Sequence, residues 1–271
     1  MSNLLKCFRD IIAVVAIVIV AFVVSGLVVR AVDIANGDVR FLVSYVVPMT
    51  IMLVGILLYK WLVIKPKELT MCSIRGLNPT VHIWGLLLLI ALAIVLLPLM
   101  QLLPSEPRDI TSGVWGVVTL IFVAPIFEEL IFRAGIFSIV SDTCRPTVSA
   151  LVSSLLFGVM HGEVAVAIEA FLAGMIFSYA YILTQSIFAP IILHIFNNIV
   201  AYVLLQFTYQ DYTINDLVLY LESFNIIYAI SLAVLMLGVV HIAVIYRRAD
   251  KLIKEGKTLI DMAPDKGIEK E

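Results

Sequence analysis

Charge is scarce in this sequence: Asp, Glu, Lys and Arg make up 14% of its 271 residues, where an ordinary soluble domain carries roughly a quarter. With 62% hydrophobic residues and a mean hydropathy of +1.09, the composition is that of a membrane protein. A basic excess is also missing. The 18 Lys and Arg face 20 Asp and Glu for a net charge of -2, which excludes the electrostatic footprint of a nucleic-acid binder. Cysteine is sparse as well. Cys7, Cys72 and Cys144 lie far apart with no C-x-x-C spacing, so neither a disulfide framework nor a cysteine zinc site is expected, and the three read as bystanders. There is no G-x-S-x-G elbow, no H-E-x-x-H pair, no transmembrane aspartate dyad, no internal repeat and no heptad array, so the common hydrolase signatures do not apply.

What the chain does have is long apolar runs. They cover 11–29, 41–64, 83–103, 113–140, 148–161, 164–183, 187–207 and 225–246, and a bilayer span needs about 20 such residues. The reading is an all-α polytopic bundle of about eight transmembrane helices in one integral membrane domain. Its parts are N-terminal helices with a cytoplasmic loop over 1–112, a motif-bearing core over 113–207, and an outer loop, last helix and cytoplasmic tail over 208–271. The first run exceeds the apolar stretch of a signal peptide and is expected to stay as an anchor. Lys6 and Arg9 precede it, Lys60 at the end of the second run is counted with Lys65, Lys67 and Arg75 after it, and Arg247, Arg248, Lys251, Lys254 and Lys257 follow the last. The positive-inside tendency therefore puts both termini in the cytoplasm of a multi-pass cell-membrane protein, with Arg30 and Arg40 counting against it.

Polar groups inside apolar runs are the informative positions, because a charge at mid-bilayer costs at least about 2.5–3.5 kcal/mol on insertion scales. They cluster: Glu128, Glu129 and Arg133 in the fourth run, His161 at the end of the fifth, and His194, Asn197 and Asn198 in the seventh. Glu129 and Arg133 are four apart and share a helical face, whereas Glu128 projects about 100° away. Arg133 is expected to neutralise and orient Glu129, leaving Glu128 as the chemical carboxylate beside a water-filled cavity. Phe157 and His161, and likewise His194 and Asn198, repeat the four-residue step, so each pair is expected to present one helical face to a common site. Pro125 and Pro190 precede Glu128 and His194 by one turn and are expected to kink their helices. Gly158 with Gly162, and Ala170 with Gly174, make small-residue steps for close packing. His82 and His241 read as interface or packing residues, and Glu169 as a partner of Arg133 or a histidine, or as the lining of a water path.

A carboxylate beside two imidazoles and an amide can activate water and protonate a leaving amine, which peptide hydrolysis requires. In one arrangement Glu128 and His161 hold the water while Asn198, with His194, donates to the oxyanion. In the other, Zn²⁺ sits on Glu128, His161 and His194 with water as fourth ligand. The residues do not choose between them; the metal-free version, which requires no cofactor, accounts for the Arg133 partner and for the amide one turn after His194.

Three ordered blocks carry a resemblance: E-E-x-x-x-R over 128–133, F-x-x-x-H over 157–161 and H-x-x-x-N over 194–198. The pattern resembles the CPBP family, the CaaX-protease and bacteriocin-processing (Abi) group of intramembrane proteases. That resemblance implies an eight-helix fold, Glu128 and His161 as a catalytic pair acting on water, and His194 and Asn198 completing the site. It also implies an endopeptidase acting on a lipidated or membrane-associated protein or peptide in the bilayer, in CaaX-type proteolysis or in bacteriocin maturation and immunity. The family is often described as metalloproteases. The alternatives are a non-catalytic immunity or binding membrane protein, and a small proton-coupled transporter using Glu128, Glu169 and the histidines.

Overall fold

The computed structural model describes residues 3–31, 34, 36–65, 77–103, 113–207 and 224–259. The tail from 263 and most of the acidic loop before the last helix lie outside these residues. The described chain is a bundle of eight apolar helices: α1 (Asn3–Ala31), α2 (Gly37–Ile64), α3 (Pro79–Leu102), α4 (Val114–Ser141), α5 (Pro146–Val159), α6 (Val164–Thr184), α7 (Phe188–Phe207) and α8 (Phe224–Lys254). The molecule is an all-α, multi-pass membrane protein.

Six of the eight helices are long and apolar enough to cross a bilayer; the shorter apolar helices are Pro146–Val159 and Phe188–Val203. The eight expected helices are present among the described residues, with α5 ending short of the end of the apolar run 148–161. The 14 residues of α5 extend about 21 Å, short of a hydrocarbon core of about 30 Å. Apolar periodicity carries on to residue 161, but the helix stops at Val159 and the chain turns at Met160 and His161. Gly162, at φ +77°, reverses the chain there, in the left-handed region where a side chain is strained. Gly162 therefore serves the turn and not a helix contact. Gly158 does pack: a Cβ there would come within 2.6 Å of the Ala167 carbonyl oxygen, so α5 and α6 approach through it.

The second helix lies along α4, and the two run parallel. Met49, Met52 and Ile56 are buried at a spacing of three and four, the stripe an amphipathic helix turns toward its neighbour. Ile56 meets Gly135 of α4. Polar ties hold the register at both ends. Asp38 accepts from the backbone N–H groups of Trp115 and Gly116 at 2.9 and 2.8 Å, filling donors that the first turn of α4 leaves unpaired. At the other end Lys60 Nζ, counted from sequence as a loop cation, is buried and donates to the Ala134 carbonyl and to Ser138 Oγ, each at 3.0 Å.

The fourth helix is continuous from Val114 to Ser141 but π-helical over Thr119–Val123 and Leu130–Phe137. Pro125 explains the first of these. Proline has no N–H, and its ring collides with the carbonyl four residues back. Widening the turn relieves this, and the Ala124 N–H goes five residues back to Thr119. In that register the carbonyl of Leu120 would look to Pro125, which has no proton to give. No such disturbance surrounds Pro190, because α7 begins at Phe188 and a first-turn proline loses no helical bond. The expected kink at Pro190 is therefore absent.

Cys7 and Cys144 are joined in a disulfide across 137 residues, which corrects the reading of both as bystanders. The bond ties the start of α1 to the turn after α4, a proximity no local spacing announces.

Candidate active site

Glu129 and Arg133 are both fully buried, and Arg133 Nη1 donates to Glu129 Oε1 at 2.9 Å. The four-residue step puts them on one face even though the intervening turn is π-helical. Arg133 Nη2 donates to the Gly174 carbonyl at 3.0 Å. Its guanidinium lies over the rings of Phe157 and Phe177, 4.8 and 5.3 Å from their centroids, an arrangement that favours a desolvated cation. A Cβ at Gly174 would fall 3.0 Å from this nitrogen, so the glycine makes room for the arginine. Glu129 Oε2 and Arg133 Nε are buried with no hydrogen-bond partner among the described residues.

His194 of α7 sits between the two glutamates. Its Nδ1 is 2.8 Å from Glu129 Oε1, and its Nε2 is 3.4 Å from Glu128 Oε2. A carboxylate paired with arginine can only accept, so Nδ1 carries the proton and donates. That assignment leaves Nε2 facing Glu128. The ring is stacked on Phe177, with centroids 4.7 Å apart, and meets the edge of Phe157 at 5.6 Å, which fixes its plane.

Glu128 is 9% exposed. Its second oxygen accepts from the Tyr45 hydroxyl of α2 at 2.5 Å. It also lines two cavities. One, of ≈ 290 Å³, lies among α2, α4, α6 and α7 and is lined by Glu169, His194, Asn197 and Asn198 among others. The other, of ≈ 250 Å³, is mostly apolar and lies toward α1 and α2, with Phe22, Pro48, Met49 and Phe132 in its walls. Tyr45, Glu128, Phe157 and His161 line both.

His161 lies in the turn after α5, not on a helical face as expected. Its Nδ1 donates to the Phe157 carbonyl at 2.8 Å, and its ring meets the edge of Phe157 at 4.8 Å. A carbonyl only accepts, so Nε2 is the acceptor nitrogen of the neutral ring. Phe157 thus touches His161, His194 and Arg133 together. Asn198 Nδ2 donates to the Leu120 carbonyl at 2.9 Å, the group that Pro125 leaves without a helical partner. One of its two amide protons is therefore committed to the backbone. Glu169 lines the larger cavity. His241 lies 3.5 Å from the Tyr179 hydroxyl and against Trp84, and His82 Nδ1 is 2.7 Å from the Asn78 carbonyl.

Sequence reasoning missed Tyr45. A tyrosine in an apolar run is ordinary, but Tyr45 begins the stripe that Met49, Met52 and Ile56 continue, and that spacing was the available signal.

The two histidines bond their inner nitrogens as metal-bound histidines commonly do. Even so, among the described residues no three His, Cys, Asp or Glu side chains are gathered to hold one ion. Glu128, His161 and His194, the residues of the alternative metal arrangement, all line the larger cavity.

Fold and site together define a multi-pass membrane protein with a buried acid–histidine centre beside two cavities. Residues 110–200, which hold every motif above, match the family described as type II CAAX prenyl endopeptidase, Rce1-like. The chain is similar to a Bacillus subtilis (strain 168) protein named as a membrane peptidase, YdiL, with 30% identity over 82 residues, 30% of this chain and 34% of that protein. It is also similar to the membrane-embedded CAAX protease MroQ of Staphylococcus aureus (strain USA300), with 32% identity over 82 residues, 28% of this chain and 33% of that protein. The chain spans about a third of the length of these curated relatives. No solved structure matches.

Proposed function

We propose that the protein is a membrane-embedded endopeptidase that hydrolyses a peptide bond in a lipidated or membrane-associated protein or peptide, with Glu128 activating water. The observation that carries this reading is the position of Glu128: buried, held at one oxygen by the Tyr45 hydroxyl, faced at the other by the His194 ring, and in the wall of both cavities. Its carboxylate takes a proton from water while the hydroxide bonds to the scissile carbonyl carbon. His161, whose Nε2 is an acceptor, helps hold that water. The tetrahedral intermediate collapses as the C–N bond breaks, and the leaving amine receives a proton from the Glu128–His194 pair. Glu129, fixed by Arg133, keeps the His194 ring in its working tautomer. The second amide proton of Asn198 serves the oxyanion, a role worth about 3–4 kcal/mol in a preorganised site. Both termini face the cytoplasm in this reading.

The test is cleavage of a fluorogenic, C-terminally prenylated CaaX peptide by purified protein in detergent, with wild type compared to Glu128→Gln and His161→Ala, with and without a zinc chelator. Cleavage that survives the chelator and is lost in both variants supports the reading. Cleavage lost with chelator and restored by Zn²⁺ overturns its metal-free chemistry. A folded wild type that cleaves nothing, yet retains a bound membrane peptide in Glu128→Gln as well, favours a binding protein.

A further inference from the structure

The proposed chemistry needs only residues within 113–207, yet one of the two oxygens of Glu128 is held from outside that segment. Tyr45 belongs to α2, and its hydroxyl donates to Glu128 Oε1 at 2.5 Å while His194 faces Oε2. A carboxyl group has two equivalent oxygens and a soft terminal torsion, broad and roughly two-fold. The Tyr45 donor on one oxygen limits that freedom and leaves the other oxygen facing the His194 ring. Tyr45 is itself held from below, because Met49, Met52 and Ile56 on the same stripe are buried, Asp38 caps the start of α4, and Lys60 closes the far end of the same contact. The parallel seating of α2 on α4 therefore sets the height of the phenol against Glu128. Tyr45 also lines both cavities, so it stands where they meet.

We infer that Tyr45 is a positioning residue for Glu128, contributed by α2: its hydroxyl fixes one carboxylate oxygen and thereby aims the other toward His194 and the water that is split. This rests on the hydrolytic reading above. An interaction that acts through Glu128 is spent on the reacting geometry and not on holding substrate, so its loss belongs in kcat and not in KM.

The experiment measures kcat and KM on the membrane-anchored peptide for wild type, Tyr45→Phe, Tyr45→His and, as a control on α2 away from the site, Tyr59→Phe, together with the melting temperature of each. Tyr45→Phe keeps the ring and removes only the hydroxyl. It is expected to lower kcat by about 10²-fold, the order of loss that misplacement of a reacting group produces, with KM and melting temperature close to wild type. Tyr45→His restores a ring donor and is expected to recover part of that loss, and Tyr59→Phe to keep wild-type kcat. Unchanged kcat in Tyr45→Phe, beside an inactive Glu128→Gln, overturns the role of Tyr45 and leaves the hydrolytic reading intact. A raised KM at constant kcat also overturns it, since the phenol then touches substrate. If Tyr45→Phe does not fold, Tyr45→His decides by the same kcat and KM comparison. Turnover that persists in Glu128→Gln overturns the hydrolytic reading itself, and this inference with it.

Discussion

Two buried carboxylates in this molecule are assembled from the same kinds of parts. Asp10 in α1, wholly buried, is held by Arg9 at 2.7 Å, by the Tyr59 hydroxyl at 2.7 Å and by the Thr143 hydroxyl at 2.7 Å. Glu128 has a tyrosine too, but its other partner is a histidine at 3.4 Å, and it lines two cavities. Neither cavity is lined by Asp10. The Asp10 cluster joins α1, α2 and the turn after α4, next to the Cys7–Cys144 bond, with both oxygens occupied by donors. Its chemistry is complete as it stands. The Glu128 cluster instead leaves its carboxylate in the wall of both cavities, the setting that the proposed proton transfer from water needs. A buried charge alone is therefore weak evidence of function; a buried charge whose partners leave it room beside a cavity is much stronger.

That comparison can be broken deliberately. The largest effect is expected at Glu128, where Gln keeps the shape and removes the base: turnover should fall by about 10²–10⁴-fold, the range for general-base catalysis, with the melting temperature nearly unchanged. Kinetics and calorimetry on one preparation check both halves. Arg133→Met should instead act on the fold. It strands Glu129 without its cation, and breaking a buried pair in this way costs about 3–5 kcal/mol, to be read as a lower melting temperature and a poor yield of folded protein.

Asp10→Asn should cost less, about 1–3 kcal/mol for donors left without a proper acceptor, with turnover per folded molecule kept near wild type. The smallest test concerns the neighbouring disulfide. Cys7 and Cys144 should resist maleimide labelling in the unfolded, non-reduced protein and become reactive after reduction, as mass spectrometry would show. Labelling of both before reduction would contradict the pairing.

The membrane itself made much of the site legible. In a chain with so few charges, Glu128, Glu129, Arg133, His161 and His194 stand out because an apolar solvent tolerates them poorly, and the structure puts Glu128, His161 and His194 in the wall of one cavity, with the Glu129–Arg133 pair bonded to His194 behind it. The helical bundle followed from the apolar runs for the same reason. What stayed hidden depends on contacts that local spacing does not encode. His161 reads as the end of a helix because the apolar pattern continues to it, and only the left-handed Gly162 marks a turn. The tie from Asn198 to Leu120 arises from a π-helical register that Pro125 explains only once the structure is seen. Lys60 reads as a loop cation because its carbonyl partner lies 74 residues away. Tyr45 was invisible for a related reason: its hydrogen-bond partner lies 83 residues along the chain.

The most direct test of the account compares the two carboxylates side by side. Wild type, Glu128→Gln and Asp10→Asn would be reconstituted in lipid vesicles, and hydrolysis of one membrane-anchored peptide measured alongside thermal unfolding. The account predicts that Glu128→Gln unfolds like wild type and does not turn over, whereas Asp10→Asn unfolds at lower temperature and turns over normally below it. Normal hydrolysis by Glu128→Gln, or its loss in folded Asp10→Asn, would contradict it.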